Sequence, residues 1–176
     1  INKGDDPFLL GNQSETNGLI NPWYYEMQEL GFHYRITDIQ CALATSQFKK
    51  LDKFIERRRT LVRQYDEAFE GNDVLTPVQS KFRQSSAHHL YILRINYPLI
   101  GVTRAQFITK LRSVGIIPQV HYMPVVLHPY YHKLGYDEKS IPNAMKYYDE
   151  ALSIPLYYQL SDREQKAVID TLFLNR

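Results

Sequence analysis

From Thr37 to about Glu70, the residues Ile39, Leu43, Leu51, Phe54, Ile55, Val62, Tyr65 and Phe69 fall at spacings of three, four or their sums. That is the pattern of one apolar stripe on an α-helix. Thr37 is a good N-cap, and Gln40 three positions on completes a capping box. Gly71-Asn72 is a stop signal. Unbroken, the helix is about 50 Å long at 1.5 Å per residue, more than a small domain covers by itself. Part of it is therefore expected to pack on another domain or subunit.

Beyond Asn72 the chain reads as short alternating elements. His89 to Asn96 alternates as a strand, with Leu90, Ile92 and Arg94 on one face and Tyr91, Leu93 and Ile95 on the other; Pro98 ends it. Thr103 caps a helix carrying Phe107, Ile108, Leu111 and Val114, closed by Gly115. Ile116 to Tyr122 reads as a second strand, broken by Pro124. His128-Pro129-Tyr130-Tyr131-His132 is an aromatic loop or single turn. Pro142 to Leu152 is a helix, and Ser153 to Leu156 a short edge strand. Ser161 and Glu164 form a capping box that opens a last helix through Val168, Ile169 and Leu172. The sum predicts an α+β fold of about three mainly antiparallel strands with helices on one face. The expected segments are 1–36, a loop or flap rich in Gly, Pro and Asn; 37–71, the long helix; and 72–176, a small α+β domain. Within the first, Trp23 to Met27 suits an edge strand or a groove plug.

Composition excludes more than it identifies. A net charge of +2 over 176 residues argues against nucleic acid or an anionic membrane as partner. No apolar run approaches the roughly 20 residues needed to span a bilayer. The single Cys41 rules out an internal disulfide framework, which makes a reducing cytoplasm the default; it is expected to be a packed thiol in the helix. The chain opens at Ile1 rather than Met, as a piece of something longer would. Fourteen Tyr against eight Phe and one Trp give either half-buried rings with wet hydroxyls or a polar aromatic binding surface.

Three groups of residues bear on chemistry. His33, Tyr34 and Arg35 are hydrogen-bond donors just ahead of the Thr37 cap, where the helix dipole favours an anion such as phosphate; a surface turn with a stray Arg gives the same pattern. Arg57-Arg58-Arg59 point in different directions from a helix, so solvated charge paired to Asp52 or Glu56 is expected rather than a phosphate clamp. His121 and Tyr122 end a strand beside Pro124. His128 and His132 are four apart, but Pro129 and the lack of a nearby acidic ligand argue against a metal site. No Gly-rich phosphate loop and no nucleophile elbow is present. These residues describe an aromatic, anion-friendly edge and no particular reaction.

Several blocks, in order along nearly the whole chain, resemble the C-terminal part of the DegT/StrS-type nucleotide-sugar aminotransferases, which are fold-type I pyridoxal-phosphate enzymes. Gly31-Phe32-His33-Tyr34-Arg35 through Gln40, then Ala42-Leu43, resembles the family's G-x-N-x-R loop and following helix. Gln47 to Asp52, Arg57-Arg58-Arg59 and Tyr65 resemble the helix that joins its two domains. His89-Leu90-Tyr91, Val120-His121-Tyr122-Met123-Pro124, His128-Pro129-Tyr130-Tyr131 and Leu152-Ser153-Ile154-Pro155-Leu156 resemble later motifs. Pro22 to Gly31 is similar to the branch that aminates a UDP-linked 4-keto-6-deoxy sugar on the route to pseudaminic acid, for surface glycans.

The resemblance implies the small C-terminal domain of a homodimeric transaminase using pyridoxal 5'-phosphate, a nucleotide sugar and an amino-acid donor such as glutamate. In such enzymes the Schiff-base lysine and the carboxylate that pairs with the cofactor ring lie upstream of the matched part. Lys3 is the only lysine before Lys49 and its setting does not match the lysine motif. The chain by itself is thus expected to hold no cofactor covalently and to be inactive. The loop would reach the partner subunit's cofactor phosphate, with His33 where relatives have Asn, and Arg35 pairing with phosphate or a substrate carboxylate. His121 and Tyr122, with Tyr91 and His128, would line the sugar-nucleotide pocket. The other reading is a non-catalytic sugar-nucleotide-binding or dimerisation module.

Overall fold

The computed structural model describes residues 14–27, 29–78 and 83–174. They fall into two compact units, residues 1–45 and 46–176.

In the first unit, β1 (Glu15–Thr16) and β2 (Leu19–Ile20) form an antiparallel hairpin with Thr16 opposite Leu19. Its turn is Asn17-Gly18, both at positive φ (52° and 77°), as the tightest hairpin turns require. Trp23 to Met27 forms no strand; here the Tyr24 hydroxyl donates to Glu26 at 2.8 Å. Residues 30–37 have no regular structure and are exposed.

The expected long helix is two helices. Helix α1 spans Asp38–Phe48 and α2 spans Leu51–Phe69. Between them Lys50 N–H bonds back to Gln47 C=O in a tight turn, and Phe54 N–H starts the next helix on Lys50 C=O. Helix α1 buries nothing: Ile39 is 83% exposed and Leu43 63%. Cys41 is likewise exposed, not packed as expected, because the face that carries it has no cover within the unit. Helix α2, in contrast, buries Leu61, Val62, Tyr65 and Phe69.

The second unit is built on an antiparallel sheet of order β3-β4-β5: Leu75–Pro77, Tyr91–Ile95 and Ala151–Ile154. In central β4, Tyr91, Leu93 and Ile95 are the buried face, as alternation predicts. Ile154 lies opposite Tyr91 and Leu152 opposite Leu93, so these four share the core side with α2 and with Val168 and Leu172 of α7 (Asp162–Leu174). Ser153, opposite Ile92, faces the other way. Short α3 (Tyr97–Ile100) follows β4, with Pro98 in its first turn and Gly101 at positive φ as its stop. Helix α4 (Arg104–Ser113) opens on the Thr103–Gln106 capping box and buries Phe107 and Leu111, while Val114 is exposed. Two more helices, α5 (Pro129–Lys133) and α6 (Pro142–Glu150), lead into β5.

The expected second strand at 116–122 is reduced to one bridge, Gln119 with Ser153. Pro118 lacks the N–H a longer ladder needs and is fully buried one residue before the bridge. Nor are Arg57 and Arg58 solvated charge, although Arg59 is exposed as expected. Arg57 pairs with Asp162 at 2.9 Å and donates to Leu160 C=O, and Arg58 Nη1 lies 3.1 Å from the carbonyls of His88, His89 and Leu156. Both side chains tie α2 to loop backbone that has no ladder of its own. Tyr65 adds a third tie, donating to Pro155 C=O at 2.9 Å.

Candidate functional site

The donor loop is held at its downstream end by the helix cap. Gln40 N–H donates to Thr37 Oγ1 at 3.3 Å, and Thr37 N–H to Gln40 Oε1 at 2.9 Å. This box consumes two of the donors a helix start offers an anion, and Asp38 places a carboxylate in the first turn. The anion-binding capacity of this segment therefore rests on the His33 and Arg35 side chains rather than on the helix terminus. Both are exposed and make no hydrogen bond or ion pair with any described residue. Phe32 and Tyr34, rings 5.9 Å apart, flank His33. A guanidinium and an imidazole with uncommitted N–H groups are a donor set that fits a phosphate ester.

The second group lies in the 46–176 unit. His121 is 8% exposed and its Nε2 is 2.7 Å from Ser153 Oγ. Nδ1 is buried and has no hydrogen-bond partner. Tyr122 stands edge-on to the imidazole, ring centroids 4.5 Å apart, and is itself 74% exposed. Pro124 then starts the turn Val125–Leu127, which ends at His128, the N-cap residue of α5. His128 is exposed, and its carbonyl accepts from His132 N–H at 3.0 Å. Tyr131 packs edge-on to Tyr130 and to Tyr136, an exposed aromatic surface on α5 and the loop that follows it.

The structure does not bring Tyr91 into this group. Tyr91 is on the core side of β4, 2% exposed, with its hydroxyl donating to Asp66 at 2.8 Å. Burial first, then the Asp66 hydrogen bond, raise its pKa far above the ordinary phenol value. Arg83 pairs with the same carboxylate and lies over the Tyr91 ring at 5.3 Å. The arrangement is a structural network, with every polar group of Tyr91 committed. The residue that sequence reasoning missed is Ser153. It was legible only as a strand position, since its partner His121 is 32 residues away.

Among the described residues no group of three or more His, Cys, Asp or Glu can hold a metal ion, and no helix is long and apolar enough to cross a membrane.

The small antiparallel α+β unit agrees with what comparison with known proteins gives. The chain belongs to the DegT/DnrJ/EryC1/StrS aminotransferase family, whose model matches residues 10–173. It is 39% identical over 165 residues to the spore coat polysaccharide biosynthesis protein SpsC of Bacillus subtilis, covering 92% of this chain and 41% of that protein. It is 36% identical over 160 residues to the UDP-4-amino-4,6-dideoxy-N-acetyl-beta-L-altrosamine transaminase of Campylobacter jejuni, covering 90% of this chain and 42% of the transaminase. Among solved structures, the putative sugar aminotransferase Spr1654 of Streptococcus pneumoniae in its PLP form superposes with a TM-score of 0.75 at 31% identity, over 85% of this chain and 38% of that one. The chain thus spans roughly two fifths of the length of the relatives it matches. The fold is that of the small domain of a fold-type I aminotransferase, as expected from the sequence.

Proposed function

We propose that this chain is the small-domain part of a cytoplasmic, homodimeric transaminase that uses pyridoxal 5'-phosphate. The enzyme aminates a UDP-linked 4-keto-6-deoxy sugar, with glutamate as donor, for pseudaminic acid and surface-glycan synthesis. The observation that carries this reading is 36% identity, over 90% of the chain, to a transaminase named for a UDP-linked 4-amino-4,6-dideoxy sugar. The cofactor, when bound, supplies the electron sink for amino transfer. The lysine that anchors it is assigned to the remainder of the protein; Lys3, the only lysine before Lys49, lies outside the described residues.

This chain's own contribution is binding and orientation. Arg35 gives charge-assisted hydrogen bonds to the cofactor phosphate of the neighbouring subunit or to a substrate carboxylate, and His33 adds an N–H where relatives place an amide. Tyr122 offers an exposed ring and hydroxyl to the sugar or the base. His121 stands behind it as a buried polar group, and His128 flanks them at the start of α5. Tyr91 holds the core beneath, through Asp66.

The test is the intact protein supplied with glutamate and a UDP-4-keto-6-deoxy sugar, followed by 2-oxoglutarate release. The expected result is 2-oxoglutarate matched one for one by amino sugar. The absence of turnover with any keto-sugar nucleotide, alongside retained nucleotide-sugar binding, would favour the non-catalytic module instead.

A further inference from the structure

We propose that Ser153 is a positioning residue that holds His121 as its Nε2–H tautomer, leaving Nδ1 as a bare acceptor for a hydroxyl or N–H of the sugar nucleotide. The ligand in this statement rests on the function proposed above; the tautomer rests on geometry alone.

The Ser153 hydroxyl carries one proton and has two neighbours. It lies 2.7 Å from His121 Nε2 and 3.2 Å from Gln119 C=O. If the proton goes to Nε2, the ring is the Nδ1–H tautomer. That arrangement makes one side-chain hydrogen bond and leaves a buried N–H with no acceptor, since Nδ1 has no partner. If the proton goes to Gln119, His121 Nε2–H donates to Ser153. That arrangement makes two bonds and leaves only an acceptor unpaired. Orphaned buried donors are rarer than under-satisfied acceptors, and each missing bond is a net loss of stability. The Nε2–H ring is favoured on both counts. The hydrogen-bond partner of one imidazole nitrogen sets the protonation of the other.

The backbone makes this placement rigid. Gln119 and Ser153 exchange both backbone hydrogen bonds, at 3.0 and 2.8 Å, in the one bridge that survives beside Pro118. Ser153 projects to the side of β5 away from the core, and His121 follows two residues after Gln119, on the same side of its extended segment. An unpartnered buried acceptor next to an exposed aromatic ring has the capacity to take a donor from a ligand. Tyr122, edge-on to the ring and mostly exposed, is the aromatic side chain beside it. A neutral acceptor there selects donor groups such as a sugar hydroxyl or an amide N–H, and gives no attraction to phosphate.

The experiment uses the intact enzyme labelled with 15N-histidine, the His121 signal being assigned by its loss in His121→Asn. Imidazole 15N–1H correlations are expected to show protonated Nε2 and unprotonated Nδ1, and Ser153→Ala to mix the tautomers while Ser153→Thr retains the wild-type pattern. In kinetics, His121→Asn keeps a polar group near the Nδ1 position and is expected to hold KM for the sugar nucleotide within about threefold, whereas His121→Gln and Ser153→Ala raise it about tenfold with a smaller change in kcat. A wild-type Nδ1–H ring overturns the proposal, as does an unchanged tautomer in Ser153→Ala or a KM pattern with Asn no better than Gln. If Ser153→Ala does not fold, the wild-type spectrum alone decides. The tautomer is readable whether or not the enzyme turns over a keto sugar, so failure of this proposal and failure of the transaminase reading are separate results.

Discussion

Helices α1 and α2 are separated by two lysines and both carry large apolar residues, yet their fates differ. In α2, Leu61, Val62, Tyr65 and Phe69 are buried against β4 and α7; in α1, Ile39, Leu43 and Phe48 stand in solvent. Spacing reports that a face calls for cover. It does not say which part of a protein supplies it. An apolar face left open in a chain that spans about two fifths of its relatives' length is what one expects where cover comes from outside the chain.

The largest effect that sharpens this contrast is a matched pair of truncations. Phe69→Ala should cost about 3–5 kcal/mol in urea unfolding of the chain, while Leu43→Ala should change it by less than about 0.5 kcal/mol. In the intact protein Leu43→Ala should become destabilising. Equal costs for the two in the isolated chain would erase the distinction.

Arg58 offers the next contrast, on one helix. Its amino nitrogen serves three loop carbonyls, so Arg58→Ala should cost about 2–3 kcal/mol. Exposed Arg63, whose bond is to Thr60 on the same helix at 3.2 Å, should cost less than about 0.5 kcal/mol on the same change. Denaturation midpoints of the two variants, measured side by side, check this.

Two tyrosines of the core give a smaller effect with opposite signs. Tyr91→Phe removes a hydrogen bond to Asp66 and should cost about 1 kcal/mol, whereas Tyr97→Phe removes a buried hydroxyl that has no partner and should be neutral or stabilising. Burial pushes the Tyr97 pKa up to about 12 from 10.0. Above pH 10 the unfolded chain therefore loses a proton that the folded chain keeps. This part of the stability is complete below pH 10 and is lost as pH rises toward 12. Tyr97→Phe should flatten that alkaline decline, seen by comparing unfolding midpoints at pH 8 and pH 11.

Much of the fold was legible. The alternation of Tyr91, Leu93 and Ile95 gave the central strand and its buried face, and the caps at Thr37, Thr103 and Ser161 marked helix starts that the structure reproduces. The break at Lys49-Lys50 was hidden because lysine is a good helix former and no Gly or Pro marks the turn. Strand β3 has three residues and ends in Pro77, too short to show a period. The Asn17-Gly18 hairpin was written in the sequence but lay among other Gly and Asn residues that read as loop. For the site, His33 and Arg35 stood out by type and position, and both are exposed, as is every residue from 29 to 53. The Ser153–His121 pair was out of reach, because it depends on which strand a single bridge joins. Arg57 and Arg58 read as solvated charge for a similar reason: their partners are mostly carbonyls, which carry no sequence signature.

The central claim is that the loop ahead of Thr37 completes a cofactor site on the neighbouring subunit, with Arg35 its main charge. Arg35→Ala should barely alter the stability of the chain, within about 0.5 kcal/mol, and should inactivate the intact enzyme. The direct measurement mixes two inactive variants of that enzyme, Arg35→Ala and one lacking the cofactor-anchoring lysine. If sites are shared across a two-fold dimer, about half the mixed dimers are hybrids with one complete site of two, and roughly a quarter of the wild-type rate returns. No recovery above the separate variants, with hybrid dimers shown to form, would place the loop in its own subunit's site and contradict the account.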